Sequence, residues 1–309
     1  MPKKATFHKL FRALAAFALA SPVLWTALPA RAALDDAAME AKAKEVARRH
    51  VVGLAQEWET GFQPAHSPVM HTLTEFHGLL LYVIAAISAL VFALLIYVCV
   101  RYRRARNPVP STTSHNTPLE IIWTALPVLV IVVIAVQSMK TLYFVSDVKN
   151  ADMTLKVTGS QWYWEYNYPD NGVEFVANML SDAEVKQLQE KAQKYAKRGT
   201  SPKAYRLLET DNVVVLPVDT NVRVQLTAAD VIHDWAVPSL GVKLDAVPGR
   251  LNETWLRIDE PGYYFGQCSE LCGQGHAFMP ISIKAVPKKE FNKWIVAQGG
   301  TIGAAKAQE

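Results

Sequence analysis

The sequence predicts an α+β membrane protein in which a two-helix transmembrane hairpin precedes an all-β sandwich or barrel. Two apolar segments without a charged residue, from about Gly78 to Val100 and from Ile121 to about Met139, are each long enough to cross a bilayer. From Met153 onward, short runs of alternating apolar and polar residues are separated by Pro, Gly, Asp and Asn. This pattern is typical of short β-strands joined by turns.

The overall composition argues against a disordered chain and against a nucleic-acid-binding protein. Half of the 309 residues are hydrophobic, and the formal net charge is only +4. Four arginines and no acidic residue fall between Arg101 and Arg106, whereas residues 146–309 carry 18 Lys and Arg against 20 Asp and Glu. The positions of the charges are therefore more informative than their sum.

The N-terminus has the pattern of a secretory signal peptide. Basic residues up to Arg12 precede an apolar stretch from Ala13 to Leu28, and an Ala-x-Ala sequence ends at Ala32. The alternative is a retained signal anchor. Because the apolar stretch contains Pro22 and is shorter than the roughly 20 residues that span a bilayer, we predict that residues 1–32 are cleaved.

The arginine cluster predicts the orientation of the hairpin. It lies in the loop from Arg101 to Glu120, and positively charged loops stay on the cytoplasmic side of a membrane. We therefore expect residues 33–77 to form an outward-facing segment, residues 78–145 the hairpin, residues 146–298 an outward-facing β domain and residues 299–309 a disordered tail. Within the β domain, the charge-rich stretch from Asp182 to Arg206 favours a surface helix inserted between strands.

A cluster of metal-ligand residues lies near the C-terminus. Cys268, Cys272, His276 and Met279 have the spacing C-x3-C-x3-H-x2-M, and His233 provides a second imidazole upstream. These ligand types together favour copper. A mononuclear blue-copper site needs only one Cys, so the second Cys favours two copper ions bridged by two thiolates. Sharing one electron over two metals suits an electron relay.

Two other interpretations of the cysteines fit the sequence less well. In an oxidising compartment, Cys268 and Cys272 would by default form a disulfide, but the additional His and Met at fixed offsets argue against it. A zinc site is disfavoured because zinc rarely takes Met as a ligand. The sequence therefore predicts a dinuclear copper centre.

Several motifs, in order along the chain, resemble those of cytochrome c oxidase subunit II. The resemblance extends from about Phe62 to Ile295. The segments that carry it are Phe62-Gln63-Pro64, His115 to Trp123, Gln161-Trp162-Tyr163-Trp164, Asp230-Val231-Ile232-His233, Asp245 to Arg250 and Gly266 to Gly273. It implies a cupredoxin-like fold for the β domain, which would lie on the periplasmic side of a bacterial inner membrane together with both termini.

The resemblance also implies roles for individual residues. Cys268 and Cys272 would bridge the two copper ions. The terminal copper ligands would be His233, His276, Met279 and the backbone carbonyl of Glu270. The Glu270 side chain would bind a magnesium ion at the boundary with the catalytic subunit. Trp162 would accept electrons from cytochrome c, although some rings of its aromatic run are expected to be ordinary core. Glu120 would stand at the mouth of a proton-uptake channel, the alternative being a carboxylate that stabilises a helix N-terminus.

The implied partners are subunits I and III of the oxidase, cytochrome c and membrane lipid, with no nucleic acid. Cytochrome c is basic, so its docking surface should be acidic. The candidates are Glu165, Asp170, Asp230 and Asp245, with Asp211 and Asp234 as further acids. Two positions depart from the family pattern: Ser160 stands where His is common, and Asp234 follows His233 where a small residue is usual.

Three other functions fit the sequence less well than that of an electron-accepting oxidase subunit. A copper-free structural subunit of a quinol oxidase would lack the Cys and His ligands that this chain has. A nitrous oxide reductase would share the copper site but would not need the transmembrane hairpin. A copper-delivery protein would need neither Glu120 nor the aromatic run at Trp162. The sequence thus favours a subunit that passes single electrons from cytochrome c to haem in subunit I, where oxygen is reduced.

Overall fold

The computed structural model describes residues 34–148 and 150–302. The predicted signal peptide, residues 1–32, and positions 303–309 of the predicted tail lie outside the described residues. The described part of the tail is hydrogen-bonded to the β domain: Asn171 Nδ2 donates to the Thr301 carbonyl at 2.8 Å, and Thr301 N donates to the Asn171 carbonyl at 3.0 Å.

The segment before the hairpin is folded. It contains helix α1 (Asp36–Val46) and strand β1 (Val51–Gly53). The side chain of Asp35 caps α1 by accepting from the Ala38 N–H at 2.7 Å. This N-cap satisfies one of the four backbone N–H groups that the first turn of a helix leaves without a partner, so it favours a helix start at Asp36.

Two long apolar helices form the hairpin: α2 (Pro68–Arg101) and α3 (Thr117–Val145). Both begin at a polar N-cap followed by Pro in the first turn, with Ser67 capping α2 and Asn116 capping α3. Because of this cap, α2 begins ten residues before the apolar run at Gly78. The apolar side chains of both helices are largely exposed, as expected for surfaces that face lipid.

The predicted all-β domain is confirmed as a two-sheet sandwich. Its strands are β2 (Met153–Ser160), β3 (Tyr163–Tyr168), β4 (Val173–Ala177), β5 (Val214–Pro217), β6 (Val222–Ala228), β7 (His233–Val237), β8 (Val242–Ala246), β9 (Asn252–Leu256), β10 (Gly262–Cys268) and β11 (Pro280–Val286). One sheet has the order β4-β3-β2-β6-β9. The other has the order β5-β11-β10-β7-β8, with β1 joined in parallel to β10.

Alternation along the strands builds the core between the sheets. In β6, Val222, Val224 and Leu226 are buried, whereas the residues between them are partly exposed. The fully buried rings of Trp164 and Trp235 lie in the same core. The aromatic run is thus divided as expected, because Trp164, Tyr166 and Tyr168 are buried and Trp162 is only partly buried.

Two helices accompany the sandwich. Helix α4 (Asp182–Tyr195) begins with a capping box between Ser181 and Glu184, and it is shorter than the predicted helix, which extended to Arg206. Its buried face packs against Met39, Ala43 and Val46 of α1. Helix α5 (Lys288–Ala297) follows β11 and buries Phe291 and Ile295 against the sandwich core.

Candidate metal centre

Strand pairing brings the predicted copper ligands to one edge of the sandwich. Strand β10 ends at Cys268 and lies antiparallel to β7, which begins at His233. The chain then forms a loop, a short 3-10 turn over His276–Phe278 and strand β11, which pairs with the other side of β10. Because His233 and Cys268 belong to neighbouring strands, the upstream imidazole and the downstream cluster share one site.

The sulfur and nitrogen atoms of this cluster lie close together. The Sγ atoms of Cys268 and Cys272 are 3.9 Å apart, and the Cys272 Sγ is 3.6 Å from the Met279 Sδ. The Nδ1 atom of His276 lies 3.7 Å from the Cys272 Sγ. The ligand atoms of His233, Cys268 and Cys272 all lie within 4.8 Å of one another. This arrangement is consistent with a copper site.

Cys268 and Cys272 are both buried free thiols. Their Sγ–Sγ separation of 3.9 Å is far longer than a disulfide bond of about 2.05 Å. The Cys268 Sγ also lies 3.3 Å from the carbonyl oxygen of Glu270, which places an oxygen atom at the edge of the cluster. The donors thus comprise two thiols, two imidazoles, one thioether and one carbonyl.

His233 is held in an orientation that suits a metal ligand. Its ring is fully buried, and its Nε2 lies 2.9 Å from Oδ1 of Asp230. Its Nδ1 is also buried and has no hydrogen-bond partner among the described residues. A buried nitrogen without a partner is unfavourable unless something coordinates it. The residues present therefore fit a metal ion bound at Nδ1, with Asp230 orienting the ring from behind.

The two thiols have very different acidities. Burial raises the pKa of Cys268, but the adjacent His233 imidazole and nearby backbone groups outweigh burial and lower it to about 7. Burial and the charge of Cys268 raise the pKa of Cys272 to about 12. A thiolate at one sulfur thus disfavours a second thiolate beside it. A bound cation would relieve this repulsion, because thiolate is the form of Cys that binds metal.

Trp162 lies directly against the loop between Cys268 and Met279, which we call the ligand loop. Its Nε1 donates to the carbonyl of Cys272 at 3.2 Å, and the side chain of Gln161 donates to the same oxygen at 2.7 Å. A Cβ atom at Gly275 would lie 2.2 Å from the indole ring, so only glycine permits this close approach. The partly buried indole therefore links the surface to the loop that carries the ligands.

Asp234, which the sequence indicated as a departure from the family pattern and as a further docking acid, lies beside the cluster. Asp234 is 2% exposed, and its Oδ1 has no hydrogen-bond partner among the described residues. It lies opposite Asp245 in the pairing of β7 with β8. Burial and then the neighbouring Asp245 raise the pKa of Asp234 to about 6. The exposed Glu270 contributes to the same negative region.

The predicted docking acids do not form one cluster. Asp230 is at the metal site, where it contacts His233, and Asp245 lies on the neighbouring strand β8. Glu165 lies on β3, and burial followed by repulsion from Glu174 raises its pKa. Asp170 accepts from the N–H of Thr154, near the start of β2. Since the metal site is at the other end of β2, Asp170 lies roughly 15–20 Å from it along the strand.

Glu120 lies far from the metal site. It is in the first turn of α3, and its Oε1 accepts from the N–H of Asn116 at 3.2 Å. About 25 helical residues, or roughly 38 Å, separate it from the end of α3 that adjoins the sandwich. Glu120 thus occupies the end of the hairpin that carries the arginine-rich loop.

Comparisons with known proteins agree along nearly all of the chain from residue 55. The family model described as cytochrome C oxidase subunit II, transmembrane domain, matches residues 55–141. The model described as cytochrome C oxidase subunit II, periplasmic domain, matches residues 153–286. The two matched ranges correspond to the hairpin with its preceding segment and to the sandwich.

Individual relatives carry the same description. "Probable cytochrome c oxidase subunit 2" of Rickettsia bellii (strain RML369-C) is 48% identical over 242 residues, which are 78% of this chain and 84% of that protein. "Cytochrome c oxidase subunit 2" of Cereibacter sphaeroides is 43% identical over 256 residues, 81% of this chain and 84% of that protein. A crystal structure of the periplasmic domain of subunit II of cytochrome oxidase (CoxB) of Bradyrhizobium japonicum has 47% sequence identity, covers 50% of this chain and 97% of its own, and gives a TM-score of 0.41. The chain therefore belongs to the cytochrome c oxidase subunit II family.

Proposed function

We propose that this subunit accepts single electrons from cytochrome c at a dinuclear copper centre and passes them to haem in subunit I of the oxidase. The oxygen chemistry and the coupled proton pumping belong to the assembled complex. The observation that carries the proposal is the pair of buried thiols, 3.9 Å apart, flanked by two imidazoles and a thioether. A site for a single copper ion would not need the second thiol.

Each donor has a specific proposed role. Cys268 and Cys272 would be the ligands shared by the two copper ions, and His233, His276, Met279 and the carbonyl of Glu270 would complete the coordination. Copper, when bound, supplies a one-electron store that two metal ions share. The protein keeps water away from the copper site, because Cys268, Cys272 and Met279 are all buried. Asp230 fixes the orientation of His233, which limits movement of the ligand when the charge changes.

We propose Trp162 as the group through which the electron arrives. Its indole is one of two partly exposed rings in the aromatic run, the other being Tyr163, and it is hydrogen-bonded to the carbonyl of Cys272. Asp230 accepts from the N–H of Gln161, the residue before Trp162, at 2.7 Å, and Glu165 lies on β3 three residues after Trp162. Their carboxylates would attract the basic surface of cytochrome c and steer it toward Trp162.

The remaining proposals concern the complex and the membrane. Subunits I and III are the proposed partners of the hairpin and the sandwich, and the exposed Glu270 carboxylate is the proposed magnesium ligand at the subunit I boundary. The sandwich lies on the periplasmic side of a bacterial inner membrane. Glu120, at the opposite end of α3, then faces the cytoplasm, where protons enter the complex.

Metal analysis and electron paramagnetic resonance of the full-length chain test the proposal. We expect about two copper ions per chain and hyperfine structure from one electron shared by two copper nuclei. Cys272→Ser is the matched variant, because it removes one bridge, and we expect it to hold a single copper with the spectrum of a mononuclear site. One loosely held copper in the unmodified chain would instead indicate copper delivery. A Cys268–Cys272 disulfide without copper would indicate a structural subunit.

A further inference from the structure

A cavity lies where the second membrane helix meets the sandwich, far from the metal site. It encloses about 240 Å³ and is lined by Phe144, Asp147, Asn150, Asn221, Trp255 and Arg257 among other residues. Trp255 Nε1 donates to the carbonyl of Phe144 at 3.0 Å, and the two rings meet edge to face with centroids 5.4 Å apart. Because Phe144 is in the last turn of α3, this contact places the cavity at the end of that helix.

The wall of the cavity is the outer face of the sheet that contains β6 and β9. Val222, Val224 and Leu256 of these strands point into the core, so the alternate residues project outward. Arg223 lies opposite Trp255 in the β6–β9 register, and Arg257 follows β9 directly. Two guanidinium groups and an indole therefore share this end of the sheet face.

The two guanidinium groups are incompletely satisfied within the chain. The Nε atoms of Arg257 and Arg223 are buried, and neither has a hydrogen-bond partner among the described residues. Arg223 makes one long contact, from Nη2 to the carbonyl of Val148 at 3.4 Å. Of the lining residues that the structure describes, Asp147 is the one carboxylate, and the nearby Asp152 accepts from the N–H of Asn221. Buried guanidinium N–H groups require an acceptor, and a planar fork of donors matches phosphate.

The height of the cavity relative to the membrane identifies the source of that acceptor. The uncharged apolar run of α3 ends at about Met139 and is followed by Lys140. Phe144 lies five residues further along the helix, roughly 7.5 Å beyond the apolar run. The headgroup layer of a bilayer extends about 5–7.5 Å beyond the hydrocarbon on each side, so it reaches the level of Phe144. The cavity is therefore level with lipid phosphates, where Trp side chains also concentrate in membrane proteins.

We propose that this cavity binds the phosphate of an anionic phospholipid headgroup. Arg257 provides the main contact, Arg223 adds a second positive charge, and the side-chain amides of Asn150 and Asn221 surround the headgroup. The indole of Trp255, which is hydrogen-bonded to the Phe144 carbonyl, lies beside the headgroup at the same level. A lipid held here would fix the sandwich relative to α3 through the contact between Trp255 and Phe144. The proposal requires only that α3 spans the membrane, so it is independent of the copper chemistry.

Lipid retention by the full-length chain tests this site. The chain is reconstituted into phosphatidylcholine vesicles with and without phosphatidylglycerol, extracted into detergent, and weighed by native mass spectrometry. We expect one tightly retained phosphatidylglycerol and no equivalent retention of phosphatidylcholine. In Arg257→Gln, retention should fall about tenfold or more, as expected when a charge-assisted hydrogen bond is lost. Lys156→Gln is the matched control, because Lys156 is an exposed cation on the same sheet face, where it pairs with Gln225.

Three outcomes would overturn the proposal. Equal phosphatidylglycerol retention by Arg257→Gln and the unmodified chain would show that Arg257 does not hold the lipid. Displacement of the lipid by millimolar inorganic phosphate would identify a site for free phosphate. If Arg257→Gln lost a partner subunit from the assembled oxidase but retained lipid as the unmodified chain does, Arg257 would bind a partner's carboxylate. If Arg257→Gln does not fold, Arg223→Gln provides the same test, since its Nε also lacks a partner.

Discussion

The indole of Trp162 donates a hydrogen bond of 3.2 Å to the carbonyl oxygen of Cys272, one of the two thiols at the centre of the metal site. Gly275 allows the ring to lie flat against the ligand loop, because any larger residue would place a Cβ atom within 2.2 Å of it. The ring and the loop therefore hold each other in place. A partly exposed aromatic group in this position offers a short route from the surface to the metal ligands.

Replacing Trp162 by Phe should slow electron delivery without removing the metal. The variant loses the indole N–H and part of the ring that contacts the loop, but no ligand. We expect the rate of electron transfer from reduced cytochrome c to fall about tenfold or more, equivalent to ~1.4 kcal/mol or more in the barrier. Stopped-flow measurement on the assembled oxidase reports this rate, and metal analysis reports the copper content.

The matched control is Trp294→Phe. Trp294 belongs to an aromatic cluster with Tyr168, Phe175 and Phe291 on the α5 side of the sandwich. This change should leave the rate of electron delivery unaltered. If Trp162→Phe transferred electrons as fast as the unmodified oxidase, Trp162 would be only a packing residue of the ligand loop.

Asp230→Asn should weaken copper retention, although Asp230 is not a proposed copper ligand. The Asp230 carboxylate holds the His233 Nε2 at 2.9 Å, and the buried Nδ1 has no hydrogen-bond partner among the described residues. Loss of a carboxylate behind a ligating histidine typically costs about 10–100-fold in metal affinity. Competition with a copper chelator measures this change. Asp170→Asn, at the opposite end of β2, should retain copper as the unmodified chain does.

The clustering of the proposed metal ligands was largely predictable from the sequence because these residues are concentrated in short motifs. Cys268, Cys272, His276 and Met279 lie within twelve residues, and their chemistry alone favoured copper. The relation of Asp230 to His233 was also local, at three residues' separation. The opposite positions of Asp170 and Asp230 were not predictable, because a single sequence does not say which turns share one end of a sandwich.

The folding of the segment before the hairpin was likewise not predictable. Strand β1 pairs in parallel with β10, more than 200 residues later in the chain, and α1 buries one face against α4. Neither contact leaves a local signal, because three residues of a strand are too few for a recognisable alternation. Ion pairs also join this segment to the β domain. Arg49 forms a buried ion pair with Glu209 at 2.6 Å, and Lys284 contacts Glu45 at 2.5 Å.

Glu45→Gln should destabilise the protein at neutral pH and have little effect in acid. Burial raises the pKa of Glu45, but the charge and hydrogen bond of Lys284, together with the Tyr263 hydroxyl, outweigh it and lower the pKa below 4.5. A carboxyl group with a lowered pKa stabilises the fold above its unfolded-state pKa. We expect the free energy of unfolding to fall by about 2 kcal/mol near pH 7, as for a hydrogen-bonded charge.

This difference should shrink as the pH falls through the lowered pKa of Glu45, because both proteins then carry a neutral side chain at this position. Denaturant titration of the full-length chain at several pH values measures it. Glu40→Gln, on the same helix, is the matched control and should show no comparable pH-dependent difference. A Glu45→Gln penalty that stayed constant down to strongly acidic pH would show that lost packing, not the charge, causes the destabilisation.

Glu120→Gln separates the two roles that this residue could have. In the structure the carboxylate accepts from the N–H of Asn116, so it caps helix α3 in addition to any role in proton uptake. Glutamine keeps an acceptor oxygen for this N–H but carries no exchangeable acid proton. If Glu120 delivers protons, steady-state oxygen consumption by the assembled oxidase should fall about tenfold or more, while the first electron still reaches the copper site at the normal rate.

Asn116→Ala is the control, because it removes the other side-chain cap at this helix end. It should leave oxygen consumption nearly unchanged if capping is the less important role of Glu120. Equal oxygen consumption by Glu120→Gln and the unmodified enzyme would restrict Glu120 to helix capping.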